Sequence, residues 1–221
     1  MNPLVSIITP NFNSSEYISE AIKSVQNQTY ENWELIIIDD CSTDNSIKII
    51  KEFQENDARV KLIELNENVG PAIVRNEGIK IAKGTYLTFI DSDDIWLPEF
   101  VEISIKNVVN TEGFVFASYH RFNEALEPKY KDFIVPLKVN YSDILKSNSI
   151  SCLSAFIDIE KLGKLYMPKI IYRQDMGLWL KYLKKINYAI GIQQPLAIYR
   201  IRKKSHSRNK FKLIRHQWNF Y

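Results

Sequence analysis

Four short runs of branched apolar residues recur in the first half of the chain, with a helix-patterned stretch between each and the next. Leu4-Val5-Ser6-Ile7-Ile8 stops at Thr9-Pro10-Asn11. Trp33 to Ile38 stops at Asp39-Asp40, Val60 to Leu65 forms the third run, and Tyr86 to Ile90 stops at Asp91-Ser92-Asp93-Asp94. Continuous apolar runs of this length read as strands buried on both faces. Between them, Tyr17, Ile18, Ala21, Ile22 and Val25 repeat at helical spacing behind Ser14 or Ser15, either of which can cap. Ile47, Ile50 and Phe53 share one face of a helix over 45–53. Gly70-Pro71 opens a third helix that ends near Lys83-Gly84, proline being suited to a first turn. Strands separated by such helices predict βαβ units and a mainly parallel sheet.

The second half is less regular. Phe114 to Tyr119, Ser154 to Ile159 and Leu196 to Tyr199 read as strands. Helices are predicted over 177–185, with Leu178, Tyr182 and Leu183 inward, and over 211–221. No linker, repeat or low-complexity segment separates the halves, so two subdomains of one globule are expected, residues 1–110 and 111–221. The chain is 221 residues long, enough for a sizeable core. No apolar run approaches the roughly 20 residues that span a bilayer, and Met1-Asn2-Pro3 does not open a secretory signal. Cys41 and Cys152 are the only cysteines, too few for a disulfide framework or a zinc site of their own, and read as free thiols.

The net charge of +3 conceals a division: residues 1–110 carry a balance of −9 and residues 111–221 one of +12. From Arg200 to Tyr221 there are eight basic residues and no acidic one. A surplus of that kind suits nucleic acid, an anionic membrane or a site that joins cations to anions.

In an open parallel sheet, ligands bind beyond the carboxyl ends of the strands. There Asp39, Asp40, Asp91, Asp93 and Asp94 would gather on one edge. One such pair reads as caps of the following turn; two on the same edge favour a site. The seven glycines form neither a G-x-G-x-x-G nor a P-loop pattern, so a nucleotide diphosphate would have to be neutralised by other means. The oxygens of Asp91-Ser92-Asp93 suit Mg²⁺ or Mn²⁺ bridging two phosphates.

Taken together, Val5 to Asn13, Ser24 to Tyr30, Ile38 to Asp44, Gly70 with Ala72, Arg75-Asn76 and Gly78, and Phe89 to Pro98 resemble the family 2 glycosyltransferases of the GT-A fold. The likeness covers nearly the whole chain. It implies an α/β architecture: a mainly parallel, Rossmann-like central sheet flanked by helices, with a smaller acceptor-side subdomain. Residues 1–110 would be the nucleotide-sugar half, and 111–221 the acceptor half with its basic C-terminal segment. It also implies an inverting, metal-dependent transfer of a hexosyl or N-acetylhexosaminyl group from a UDP-sugar to an acceptor hydroxyl. The expected setting is bacterial surface-polysaccharide assembly in the cytoplasm, at the inner face of the membrane, with a glycan or lipid-linked sugar as acceptor and no nucleic-acid partner.

By the same resemblance Pro10 and Phe12 line the base, and Asp40 accepts from the ring N–H of uracil while Asp39 supports the turn. Arg75, Asp91 and Ser92 lie at the nucleotide, and Asp93, with Asp91, holds Mn²⁺ or Mg²⁺; Asp94 is a substitute ligand. From the residues alone, the favoured readings are core packing for Phe12 and, for Arg75, an ion pair to Glu77 or another surface acid. The family's Glu-Asp pair that opens a helix corresponds to Gln174-Asp175, with the Glu replaced. Asp175 is then the general base, against a reading as a simple N-cap. Ser151-Cys152 matches a segment near the acceptor, where Cys152 packs. Arg200, Arg202 and Lys204 correspond to a C-terminal loop that meets the diphosphate. Arg202 stands where many members have a histidine, and an arginine cannot ligate a metal; His206 is an alternative.

Two other classes remain in view. A dehalogenase-like phosphatase needs an aspartate at the end of the first strand, where Thr9-Pro10-Asn11 stands instead. A non-enzymatic nucleic-acid or lipid-phosphate binder would use the basic C-terminus. Lys210, Lys212 and Arg215 interleave there with Phe211, Leu213, Ile214 and Trp218, which fits either a peripheral membrane contact or a helix packed on the domain.

Overall fold

The computed structural model describes residues 2–170 and 172–202. In chain order the elements are β1 (Val5–Asn11), α1 (Ile18–Gln26), β2 (Trp33–Asp39), α2 (Ser46–Asn56), β3 (Val60–Glu64), α3 (Pro71–Ile81), β4 (Tyr86–Phe89), β5 (Ile95–Trp96) and α4 (Phe100–Val108). The second half adds β6 (Phe114–Phe122), β7 (Pro128–Phe133), β8 (Lys138–Val139), α5 (Tyr141–Lys146), a 3-10 turn (Cys152–Ser154), β9 (Ala155–Asp158), α6 (Ile159–Leu162), α7 (Gln174–Leu183) and β10 (Ala189–Arg200).

The strands of the described residues form one sheet in the order β3-β2-β1-β4-β9-β6-β10-β5. The first four are parallel, as the βαβ pattern requires. Beyond β4 the sheet is mixed: β9 runs antiparallel to both β4 and β6, whereas β10 lies parallel to β6. β7 pairs antiparallel with the later residues of β6, beyond those that pair with β9, and β8 pairs with the start of β10.

The apolar runs split by alternation. Val5, Ile7, Leu35 and Ile37 face a core shared with Ile18, Ile22 and Val25 of α1 and with Phe100 and Val101 of α4. Ile8, Ile36 and Ile38 face a second core shared with Val74 and Ile79 of α3 and with Met176, Leu178 and Trp179 of α7. Helices on both faces are what make the strands apolar throughout. α3 lies so close to β1 that a Cβ at Gly78 would stand 2.6 Å from Ile8 Cγ2, so the contact needs a residue with no side chain.

Several boundaries differ from the sequence reading. α1 begins at Ile18, and neither Ser14 nor Ser15 caps it with a side chain. The Ser14 hydroxyl instead bonds Ser92 Oγ at 2.8 Å, tying the loop after β1 to the loop after β4. α4 was not anticipated, although Phe100, Val101, Ser104 and Val108 face inward. β10 has 12 residues where only Leu196 to Tyr199 was read as strand. Its register shifts around Pro195, which lacks an N–H, and the break hides the first half of the strand. The expected helix over 211–221 lies outside the described residues. Among the described residues no helix is long and apolar enough to cross a membrane.

Candidate functional site

Because β2, β1 and β4 are parallel neighbours, their carboxyl ends bring Asp39, Asn11 and the 91–94 loop to one edge. Asp39, wholly buried, accepts from Asn11 Nδ2 at 2.6 Å, Ser42 N at 2.8 Å and Ser42 Oγ at 2.6 Å, which closes the turn after β2. Asp40 accepts from Val69 N at 2.7 Å and from Gly70 N at 2.9 Å. Its carboxylate thus meets the start of α3, where Gly70 takes φ +85°, a conformation few other residues adopt. Phe12 is 48% exposed on the adjoining loop. Core packing does not describe it. Pro10, at the end of β1, pairs in register with Ile38.

The Asp91–Asp94 loop is held by arginines from two other elements. Arg75 of α3 forms an ion pair with Asp91, not with Glu77, which pairs with Lys80. Arg202 Nη1 stands 3.1 Å from Asp93 Oδ2. Arg200 is buried, and its guanidinium is spent on protein: Nε donates to Asp93 O at 2.8 Å, Nη1 to Glu124 O at 3.0 Å, and Nη2 pairs with Glu20. Each of its guanidinium nitrogens thus has a protein partner, so Arg200 braces the 91–94 loop at the wall of the same cleft that Arg202 lines. Tyr17 lies beneath both arginines, its ring 4.9 Å from the Arg200 guanidinium and 5.1 Å from that of Arg202. Ser92 likewise turns inward, to Ser14. Asp94 is 2% exposed and accepts from Arg200 N at 2.9 Å, so it faces the fold and is no substitute metal ligand.

Asp175 enters from the second half. It sits in the first turn of α7, but Arg173 is the N-cap, in the left-handed region at φ 59°, so Asp175 is not itself the cap. Asn148 Nδ2 donates to Asp175 Oδ2 at 3.2 Å. Burial raises the Asp175 carboxyl above its ordinary pKa, and the charge of Asp91 adds to the rise; Asn148, the Met176 N–H and Arg75 oppose it. Cys152 is buried, and burial pushes its thiol pKa far up, which suits packing and not a nucleophile. Asp91 and Asp93, Arg75 and Arg202, Cys152 and Asp175 together line a cleft of about 410 Å³. Asn148, Tyr17 and Glu20 carried no sequence signal as site residues. Lys204 and His206 lie outside the described residues.

Among the described residues no group of three or more His, Cys, Asp or Glu side chains could hold a metal ion as a complete protein cage. Asp91 and Asp93 nevertheless fit a hard divalent cation that takes one or two carboxylates and completes its shell with water and phosphate oxygens. The Asp93 carboxyl is raised first by burial and then by Asp91, with Arg202 and Arg200 opposing. A divalent cation between the two carboxylates would favour their charged forms.

Residues 6–156 match the family model for glycosyl transferase family 2. The chain belongs to that family. Over 220 residues it is 38% identical to TuaG of Bacillus subtilis (strain 168), a glycosyltransferase named for teichuronic acid biosynthesis, covering 99% of this chain and 87% of that one. It is 37% identical to WfgD of Escherichia coli, a UDP-Glc:α-D-GlcNAc-diphosphoundecaprenol β-1,3-glucosyltransferase, over 98% of this chain and 84% of the relative. Among solved structures, S. aureus TarS 1-349 in complex with UDP-GlcNAc superposes with a TM-score of 0.77 at 21% identity, over 91% of this chain. The mannosyltransferase PcManGT of Pyrobaculum calidifontis, in complex with GDP-Man and Mn²⁺, superposes with a TM-score of 0.70 at 19% identity, over 93% of this chain. The chain spans 60% and 59% of those two structures. The fold is the GT-A fold.

Proposed function

We propose that this chain is an inverting transferase that moves a sugar from a UDP-sugar to a hydroxyl of a lipid-linked acceptor during assembly of a bacterial surface polysaccharide. One observation carries the reading: Asp175 shares a single cleft with Asp91 and Asp93, which arrive from the opposite half of the chain. Residues 1–110 would hold the donor and residues 111–221 the acceptor. The names of the relatives support the setting, since WfgD uses UDP-Glc and a diphosphoundecaprenol-linked sugar.

In this reading the Phe12 ring stacks on uracil beside Pro10. Asp40 has lone pairs left after its two backbone bonds, and these accept the ring N–H. Arg75 holds Asp91 aimed at the ribose and diphosphate. Asp93 and Asp91 would hold Mn²⁺ or Mg²⁺, which when bound offsets the charge growing on the departing diphosphate. Arg202, one arginine fork from Asp93, supplies a second positive charge to the same group, as would Lys204. Asp175 removes the acceptor proton as the acceptor oxygen attacks the anomeric carbon, and the bond to the diphosphate breaks on the far face. Its raised pKa makes it a stronger base than an ordinary carboxylate.

The test combines binding and turnover. The full chain is titrated with UDP-glucose, UDP-GlcNAc and GDP-mannose, with Mn²⁺ or Mg²⁺, by thermal shift and donor hydrolysis. A UDP-sugar should register, Asp93→Ala should lose both signals, and Asp175→Asn should keep binding and lose transfer. Binding by no UDP-sugar, or near-normal transfer by Asp175→Asn, overturns the proposal.

A further inference from the structure

Between β7 and β8 the chain crosses the sheet face that carries α7. Val135, buried, anchors the crossing through its N–H to Ser118 Oγ at 3.0 Å, and the Leu137 carbonyl accepts from Gly191 N at 2.8 Å. The side chains on either side of that anchor point outward: Ile134 is 52% exposed and Leu137 66%. Tyr188, just before β10, is 41% exposed, and the Lys138 ammonium lies 5.2 Å from its ring centre. Apolar side chains on a rigid strap, next to a half-exposed tyrosine, cost solvation in water unless something covers them.

The surrounding charge indicates what covers them. Residues 128–138 and 181–190 hold six lysines and one acid, Asp132, which is engaged by His120 at 2.7 Å. Among the described residues no carboxylate pairs with Lys131, Lys138 or Lys184, and the Lys184 ammonium rests 5.5 Å from the Tyr141 ring. Aliphatic tips, an interfacial tyrosine and a rim of lysines together match the boundary of an anionic bilayer. We propose that Ile134, Leu137 and Tyr188, with Lys131, Lys138 and Lys184, form a docking face for an anionic lipid surface. The face lies beyond the far end of α7 from Asp175. The rise from Asp175 to Leu183 is about 12 Å, so a bilayer seated there stands one short helix from the cleft. The inference extends the lipid-linked acceptor proposed above. Vesicle binding is read without any sugar transfer, so either idea can fail alone.

The experiment is co-sedimentation of the full chain with vesicles of phosphatidylcholine, and of phosphatidylcholine mixed with phosphatidylglycerol. The expected result is binding about tenfold tighter to the mixed vesicles, weakening as salt is raised. Ile134→Ser with Leu137→Ser, and separately Lys138→Glu with Lys184→Glu, should each lower that affinity about tenfold with the melting temperature unchanged. The proposal is overturned by equal or absent binding to the two vesicle types, or by patch variants that bind like the parent. It also falls if the loss appears only in Lys210→Glu, Lys212→Glu, Arg215→Glu, or if the patch proves to join two copies of the chain, with dimerisation abolished by Leu137→Ser.

Discussion

Asn148 donates a hydrogen bond of 3.2 Å to Asp175, joining the loop after α5 to the first turn of α7. The same loop is fixed to α7 a second time, where Trp179 Nε1 donates to Ile150 O at 3.2 Å. Asn148 therefore positions the carboxylate and favours its ionised form. In Asn148→Ala the Asp175 pKa should rise, because a donor to the charged state is gone. The acid limb of the rate–pH profile should move to higher pH. Turnover should fall by about tenfold with donor KM unchanged. An acid limb that stays in place rules out this role.

Arg200 and Arg202 are two residues apart and should behave differently. Arg200→Ala removes a buried guanidinium and leaves the Asp93 and Glu124 carbonyls without their donor, a loss of about 2 kcal/mol, to which Glu20, 45% exposed, adds little. Arg202→Ala should cost under about 1 kcal/mol, since its side chain is 27% exposed, yet weaken transfer more than it weakens folding. Paired denaturation and activity measurements separate the two.

Gly191 lies under the strap that carries Leu137. A Cβ there would stand 2.0 Å from the Pro136 carbonyl oxygen, with backbone that cannot give way as a side chain could. Gly191→Ala should destabilise by about 3 kcal/mol, as overpacked sites do. Urea midpoints test this; a loss below about 0.5 kcal/mol would mean that the strap is free to move.

Asp57, at the end of α2, is held by the Arg59 guanidinium, against the cost of burial and with help from Gln26, at a pKa of about 2. The folded pKa is depressed, so its stabilisation is fully present above the unfolded value of about 3.9 and fades as pH falls towards 2. Arg59 is 40% exposed, so screening reduces the effect to about 1 kcal/mol. Asp57→Asn should show that loss at pH 7 and almost none at pH 2. Arg59→Ala should lose somewhat more at neutral pH, because the guanidinium also covers the Trp33 ring at 3.8 Å.

Much of the first half was legible in the order of residues alone. The four parallel strands announce themselves because burial on both faces demands unbroken apolar runs. Asp39, Asp40, Asp91 and Asp93 fall at their ends because polar residues must begin where the sheet stops. Asp175 was legible as a base only through the family resemblance; its local residues mark no more than the opening of a helix.

Tertiary structure decided the rest. Arg200 has no local feature that distinguishes it from Arg202; its partner Glu20 is 180 positions away, and the end of β10 reaches the 91–94 loop because β10 pairs with β5, the strand that follows Asp94. There Asp94 accepts from Arg200 N and turns inward, while Asp93 faces the cleft that Asp91 and Asp175 also line. Apolar patterning shows which residues are buried; which buried charges meet depends on strand order, and strand order is settled by packing between segments far apart in the chain.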